Sequence, residues 1–137
     1  MTDPSALRRM HRRMAVVPGI AYFNENHFVY PDRNQHGLLE RQLTSIYSPI
    51  SADVVVFNSR FNQETFLQGA AGLLRKMPDG VPVGVTETIA KRSVCLPVAV
   101  DSFEHGNRTV AGSIVWNHRW EHDKGIDLLL GITTGLI

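Results

Sequence analysis

Two cations, Arg119 and Lys124, lie in a polar segment that directly precedes an apolar run at residues 126–132. If that run is a helix, both side chains lie near its amino-terminal end, where backbone N–H groups and the helix dipole favour an anion. Two cations at such a place would neutralise a diphosphate. The residues alone leave a second interpretation open, in which both are solvated surface charges.

The same segment contains histidines that resemble metal ligands in their spacing. His118 and His122 are four residues apart, with Glu121 between them. The order His-Arg-Trp-Glu-His differs from the His-Glu-x-x-His zinc motif, and Arg119 beside the first histidine would oppose a divalent cation. The one cysteine and six histidines of the chain form no four-ligand pattern. We therefore predict that the protein holds no metal.

Further polar side chains directly follow apolar runs or lie in the later polar segment, and these are the candidate cleft residues. They are Asn24, Glu25, Asn26, Asn58, Ser59, Asn117, His118 and Glu121. Ligands of parallel α/β sheets bind outside the carboxyl ends of the strands, which is where the first five would lie. Glu25 could act as a general base or bind a sugar, or it could cap the following turn. Ser59 is explained equally well as a helix N-cap, and the pattern identifies no catalytic residue.

The elements that must position these residues alternate between helix and strand. Short apolar runs bounded by turn formers predict strands at 15–23, 53–57 and 94–100. Apolar residues at helical spacing and an N-terminal basic segment predict helices at 6–14, 38–47 and 60–77. The resulting order αβαβαβ predicts an α/β fold, with a Rossmann-like parallel sheet and helices on both faces.

We interpret the chain as parts of two domains. Residues 1–100 form part of a first domain, and residues 101–109, which are polar and lack periodicity, form a linker. Residues 110–137 begin a second domain with a predicted strand at 110–116 and the helix at 126–132. One strand and one helix cannot close a core, so we expect this second domain to be truncated.

Charge and cysteine content limit the classes of function. Fourteen Lys and Arg residues against thirteen Asp and Glu leave a formal charge of +1, so any contact with RNA must be local. Cys95 has no disulfide partner, which favours a reducing compartment, and we expect the cytoplasm. No apolar run is long enough for a membrane span, so no membrane partner is expected. The absence of Gly-x-Gly-x-x-Gly, P-loop and Gly-x-Ser-x-Gly motifs removes dehydrogenases, P-loop NTPases and α/β-hydrolases.

Three blocks of this sequence resemble the tRNA-queuosine mannosyltransferase family, whose members are retaining glycosyltransferases of the GT-B type. The blocks are Tyr-Phe-Asn-Glu-Asn-His-Phe-Val-Tyr-Pro at 22–31, Ala-Asp-Val-Val-Val-Phe-Asn-Ser-Arg-Phe-Asn at 52–62, and Trp-Asn-His-Arg-Trp-Glu-His-Asp-Lys at 116–124. In the first block, Asn24 stands where the family has His, and His27 stands where it has Gln. The resemblance implies a partial GT-B fold, with most of an N-terminal half and the start of a C-terminal half.

The resemblance also implies a function. It predicts transfer of mannose from GDP-mannose to queuosine in tRNA with retention of configuration, with Arg119 and Lys124 on the donor diphosphate and no cofactor beyond the nucleotide sugar. The family's Gly-rich first strand and its Glu-bearing donor motif fall outside this sequence, so we expect the chain alone to be inactive. Two alternatives stay open: a retaining transferase that acts on a lipid or glycan, or a catalytically silent remnant or binding module.

Overall fold

A computed structural model of the protein describes residues 6, 8, 10–29, 36–78, 80–102, 115–120 and 124–135. Its described elements follow in the order α1 (Arg12–Ala15), β1 (Ile20–Phe23), α2 (Leu38–Ser51), β2 (Val54–Phe57), α3 (Arg60–Leu74), α4 (Val85–Lys91), β3 (Ser93–Cys95) and α5 (Ile126–Thr134). The chain divides into two compact units, Met1–Val98 and Ala99–Ile137. None of the described helices is long and apolar enough to cross a membrane.

The first unit is built on a parallel three-stranded sheet with the order β1-β2-β3. The central strand, β2, is the most buried, because its backbone pairs on both sides and its β-branched residues suit an enclosed strand. In register, Ala21 lies beside Val55 and Phe23 beside Phe57. Both strands therefore end at the same level. The predicted α/β class and parallel sheet are confirmed.

The core lies on the face of the sheet that carries Val55 and Phe57. Helices α2, α3 and α4 contribute Ile46, Phe66 and Ile89 to this one cluster. Around Phe66, the rings of Phe23, Phe57 and Phe28 have centroids 5.0, 5.4 and 5.5 Å away, distances at which aromatic rings attract one another. The aromatic cluster thus fixes the ends of β1 and β2 against α3.

Four side chains of the opposite sheet face are apolar and exposed. They are Ile20, Tyr22, Val54 and Val94, with exposed fractions between 38% and 71%. Their position on this face follows from the alternation of side chains along each strand, because every second residue points to the core face. Val56 lies between Tyr22 and Val94 on the same face but is only 6% exposed, so the exposed apolar side chains surround a buried centre.

Helix boundaries differ from the sequence-based predictions where capping or tertiary contacts decide them. Ala6, Arg8 and Met10 are helical, but His11 has an extended backbone and α1 begins after it. Helix α2 continues beyond residue 47 through Pro49, which is buried, and ends at Ser51. Helix α4 was not predicted at all.

Two strands are shorter than predicted. Strand β1 begins only at Ile20, because residues 12–15 are helical and Pro18 lacks the N–H that a strand ladder needs. Strand β3 ends at Cys95, two residues before Pro97, and residues 96–100 have no regular structure. The predicted strand at 110–116 lies mostly outside the described residues, and Val115 and Trp116 are not in a strand. The predicted helix at 126–132 is present as α5.

Candidate functional site

The residues after β1 and β2 meet at the carboxyl edge of the sheet. Because Phe23 and Phe57 are paired in register, Asn24 and Asn58 follow side by side. The Asn58 backbone N–H donates to the Phe23 carbonyl oxygen at 3.2 Å. The Asn58 Nδ2 donates to the Asn24 carbonyl oxygen at 2.8 Å and to the Asn24 Oδ1 at 3.1 Å. Two residues predicted from separate parts of the sequence are thus in direct contact.

Asn62, which no sequence pattern singled out as a candidate, links these strand ends to the first turn of α3. Its Nδ2 donates to the Phe23 carbonyl oxygen at 3.0 Å and to the Asn58 Oδ1 at 2.9 Å. The side chain is only 5% exposed. Asn62, Phe66 and Ala70 are the buried residues of α3, so a polar residue at the start of an apolar stripe was the signal in the sequence.

Asn26 belongs to the loop after β1 and is buried, with 4% of its surface exposed. Its Nδ2 donates to the Asn62 Oδ1 at 2.6 Å, and its Oδ1 accepts the Phe28 backbone N–H at 3.0 Å. The second bond closes an Asx turn, which holds residues 26–28 in one conformation. Asn26 therefore connects the loop after β1 to Asn62.

Ser59 and Glu25 differ in their environments. The Ser59 Oγ accepts the Asn62 backbone N–H at 3.1 Å, which makes Ser59 the side-chain N-cap of α3. The same hydroxyl donates to the Asn58 Oδ1 at 3.3 Å. Glu25 is exposed, and its carboxylate makes no hydrogen bond within the described part of the chain. Glu25 can therefore meet a ligand, whereas Ser59 is occupied as a cap.

The second unit contains the remaining candidates. Asn117, His118 and Arg119 are exposed, and the His118 ring contacts the Trp116 ring edge-on at a centroid distance of 5.6 Å. Lys124 directly precedes Gly125, the N-cap of α5, whose φ of 73° is left-handed. Gly37 and Gly84, the N-caps of α2 and α4, have similar φ values of 69° and 78°. Glu121 lies outside the described residues. The diphosphate role of Arg119 and Lys124 stays a prediction.

An ion pair occupies the opposite, amino-terminal edge of the sheet. The Arg8 guanidinium lies 2.6 Å from the Asp53 carboxylate, which also accepts the Gly19 backbone N–H at 2.7 Å. Arg8 donates further to the carbonyl oxygens of Val17 and Ser51. The Gly19 N–H and then the Arg8 guanidinium hold the pKa of Asp53 below its ordinary value. Arg8 thus links these chain segments, whereas Arg12 and Arg13 are exposed.

Metal ligands do not converge in the described ranges. No group of three or more His, Cys, Asp or Glu side chains there is arranged to hold an ion. Cys95 is exposed at the end of β3. The expectation of a metal-free protein stays a prediction.

Comparisons with known proteins identify relatives of this chain. A family model described as tRNA-queuosine alpha-mannosyltransferase N-terminal matches residues 1–100. The chain is 34% identical over 136 residues to the tRNA-queuosine alpha-mannosyltransferase of Drosophila melanogaster, a match that covers 85% of this chain and 35% of that relative. The chain thus spans about a third of the length of the curated relative. No solved structure matches the chain.

Proposed function

The chain belongs to the tRNA-queuosine alpha-mannosyltransferase family, and from this membership we propose that its complete gene product transfers mannose from GDP-mannose to queuosine in tRNA. Configuration at the sugar is retained. The curated relative is named for queuosine in tRNA and for mannosyl transfer. The donor nucleotide and the retention of configuration are parts of the proposal.

The observation that supports a cleft at this place is the contact between Asn24 and Asn58. They come from two sequence blocks that resemble the family, and they meet at the carboxyl edge of a parallel sheet with distances of 2.8 and 3.1 Å. That edge is where open α/β sheets bind their ligands. Exposed Glu25 lies next to this contact and can bind a hydroxyl group of a sugar or ribose. The first domain therefore contributes amide and carboxylate groups suited to polar ligands.

Arg119 and Lys124 are the cationic candidates, and both belong to the second unit. We assign both to the donor diphosphate, where a planar guanidinium contacts two phosphate oxygens and an ammonium adds a point charge. As the glycosidic bond breaks, negative charge grows on the leaving diphosphate, and fixed cations stabilise that charge in the transition state. The acceptor proton passes to the departing phosphate, so the reaction requires no protein base.

The acceptor is proposed to be a tRNA that contains queuosine. With a formal charge of only +1, the chain has no basic excess for binding a long stretch of backbone. Recognition must then come from local contacts to the modified nucleoside and its neighbours. We place the reaction in the cytoplasm, with residues 101–109 as the linker between an acceptor-side domain, 1–100, and a donor-side domain that begins at 110.

An assay of the complete gene product tests the proposal. Incubation with radiolabelled GDP-mannose and tRNA that contains queuosine should label the tRNA, and the same tRNA with unmodified guanosine should stay unlabelled. Lipid and glycan acceptors tested in parallel address the alternative of a related transferase. Binding of GDP-mannose without transfer to any acceptor would instead identify a silent binding module. Failure to bind any nucleotide sugar would contradict the proposal.

A further inference from the structure

The formal charge of +1 is the sum of a strongly basic stretch and an acidic remainder. Residues 4–24 contain Arg8, Arg9, Arg12 and Arg13 but no Asp or Glu, which gives this stretch a formal charge of +4. The other ten of the fourteen Lys and Arg residues stand against all thirteen Asp and Glu, so the rest of the chain carries −3. Such a division of charge within one chain indicates a local site for a polyanion.

The side chain of Arg8 holds the basic stretch in a compact loop. Its guanidinium lies 2.6 Å from the Asp53 carboxylate and donates to the Val17 carbonyl oxygen at 2.6 Å, so it joins the two ends of residues 8–17. It also donates to the Ser51 carbonyl oxygen at the end of α2. We call residues 8–17 the arginine loop. One side chain therefore fastens this loop to the first unit.

Arg12 and Arg13 are exposed on α1, the single helical turn of the arginine loop. Met14 of the same turn lines a small apolar cavity together with Val17 and Ser51. Residues two apart on a helix are about 200° apart around its axis, so Arg12 faces away from this cavity. Neither arginine side chain makes a hydrogen bond or ion pair within the described residues. Two adjacent guanidinium groups are thus presented to solvent without a counter-charge from that part of the chain.

We propose that the arginine loop binds the phosphate backbone of the tRNA acceptor, with Arg12 and Arg13 each on a phosphate. A guanidinium donates two parallel hydrogen bonds to a phosphate group and keeps its charge at every physiological pH. Contacts of this kind position an RNA but read none of its sequence. The choice of tRNA rests on the proposed function, whereas the choice of a nucleic-acid backbone rests on the charge and the geometry of the loop.

The arginine loop and the candidate cleft lie at opposite ends of β1. The loop ends at Val17, before the strand, and Asn24 follows the strand. Seven residues at about 3.3 Å each separate them by roughly 20 Å. The loop would therefore contact phosphates several nucleotides away from the queuosine, and its contribution to binding should not depend on the modified base.

An anionic membrane surface is the rival ligand for an exposed basic loop. Met10 and Val16 are exposed by 77% and 82%, and apolar side chains beside cations are typical of segments that lie on membranes. The strength of such binding grows with the apolar area that a helix buries in the lipid, and α1 has only four residues. Phosphate contacts require only the guanidinium groups. The observations therefore favour RNA.

A double variant, Arg12→Gln with Arg13→Gln, tests the inference and leaves the attachment of the loop through Arg8 in place. The matched control is Arg75→Gln with Lys76→Gln, which removes two adjacent, exposed cations after α3 in the same unit. Both double variants lower the net charge by the same amount. Thermal unfolding of each should match the wild type, because substitutions at exposed positions change stability little.

The readout is tRNA binding by the complete gene product over a range of salt from about 50 to about 200 mM. The logarithm of the affinity falls with the logarithm of the salt concentration, by about 0.7 to 0.9 for each phosphate that a protein neutralises. The Arg12 and Arg13 double variant should reduce this slope by about 1.5 to 2 and weaken binding roughly tenfold at the low-salt end. The loss should be equal for tRNA with queuosine and with unmodified guanosine, and the control should keep the wild-type slope.

Three results would overturn the inference. They are wild-type affinity and salt dependence in the Arg12 and Arg13 double variant, an equal loss in the control, and a wild type that binds neither tRNA. Vesicles that contain phosphatidylserine form a separate arm, in which a loss of vesicle binding with unchanged tRNA binding would assign the loop to membranes instead. Binding of tRNA through the loop without transfer of mannose would contradict the proposed function alone. Transfer to tRNA that is indifferent to both arginines would contradict this inference alone.

Discussion

The ring of Phe28 occupies the space that a Cβ atom on Gly69 would fill. Phe28 lies in the loop after β1, and Gly69 lies in α3, so this contact presses the site-bearing loop onto the helix. A Gly69→Ala substitution should destabilise the protein by about 1–3 kcal/mol, because the ring must move out of a packed cluster. In the same helix, a Cβ atom on Gly72 would meet only the distant end of the Arg75 side chain. Gly72→Ala should therefore stabilise the protein by up to about 1 kcal/mol. Urea unfolding of both variants checks the opposite signs, and equal effects would contradict the contact.

The ion pair between Arg8 and Asp53 should make stability depend on pH in the acid range. The pKa of Asp53 is lowered in the folded protein, so its contribution is complete above the ordinary value of 3.8 and is lost as pH falls through the lowered value. Asp53→Asn should flatten this part of the curve of unfolding free energy against pH. Asp101→Asn removes an exposed carboxylate from the other unit and controls for net charge. An unchanged acid branch in Asp53→Asn would show that the pair contributes nothing.

Removal of the Asn62 side chain should be costly for folding. Asn62→Ala removes one hydrogen-bond partner each from the Asn26 Nδ2, the Asn58 Oδ1 and the Phe23 carbonyl oxygen, in a region where Asn26 and Asn62 are 5% exposed or less. The loss should be roughly 2–4 kcal/mol, as for a buried polar network that loses one member. Asn24→Ala at the exposed end should change stability by only about 0.5 kcal/mol. Thermal and urea unfolding measure both, and similar small losses would refute a buried network.

Arg119 and Lys124 should matter for turnover in the complete gene product. Replacing either by Ala should lower turnover roughly a hundredfold, or by about 3 kcal/mol, as for the loss of one donor to a developing negative charge. Arg119→Lys should keep only part of the wild-type turnover, because an ammonium cannot reproduce the planar, two-pronged hydrogen bonding of a guanidinium. The fold should be retained, since Arg119 is exposed and Lys124 only half-buried. Alanine variants with normal turnover and donor affinity would show that these are surface charges.

The isolated 137-residue chain should have no transferase activity and should associate. It spans about a third of its curated relative, and apolar side chains of α5 such as Leu128, Leu130 and Ile132 are exposed by 53–74%. Exposed apolar surface of this extent promotes association. Light scattering and the tRNA labelling assay test both statements. Turnover by this chain alone would contradict the first, and a monomer at high concentration would contradict the second.

Sequence patterns predicted the sheet well because its strands are short apolar runs with clear turn formers around them. Phe57 and Asn58 mark the end of β2, and the structure places that end where the pattern predicted it. Helix α4 escaped prediction because it spans only one short segment, Val85–Lys91, and contains the β-branched residues that favour strands. Its helical state depends on tertiary contacts, which bury Ile89 in the core.

The candidate site was predictable in position but not in its connections. Location at strand ends identified Asn24 and Asn58, because that rule depends only on the order of elements. The role of Asn62 depends on distances between three chain segments, and no local pattern encodes those. Arg8 shows the same limit, since its partner Asp53 is 45 residues away in sequence. Arg8 and the three arginines that follow it at positions 9, 12 and 13 look alike in sequence, and the fold gives Arg8 its partner.

The hydrogen-bonded asparagines 24, 26, 58 and 62 also give the site a chemical lifetime. Asparagine is among the most thermolabile side chains, and hydrolysis by water, with release of ammonia, turns its amide into a carboxylate. At Asn58, which is followed by the small residue Ser59, this reaction would remove the Nδ2 that donates to Asn24 at 2.8 and 3.1 Å. The aromatic core would be untouched. Aged protein would therefore lose the restraint on the Asn24 side chain, a slow and irreversible change that peptide mass spectrometry can follow.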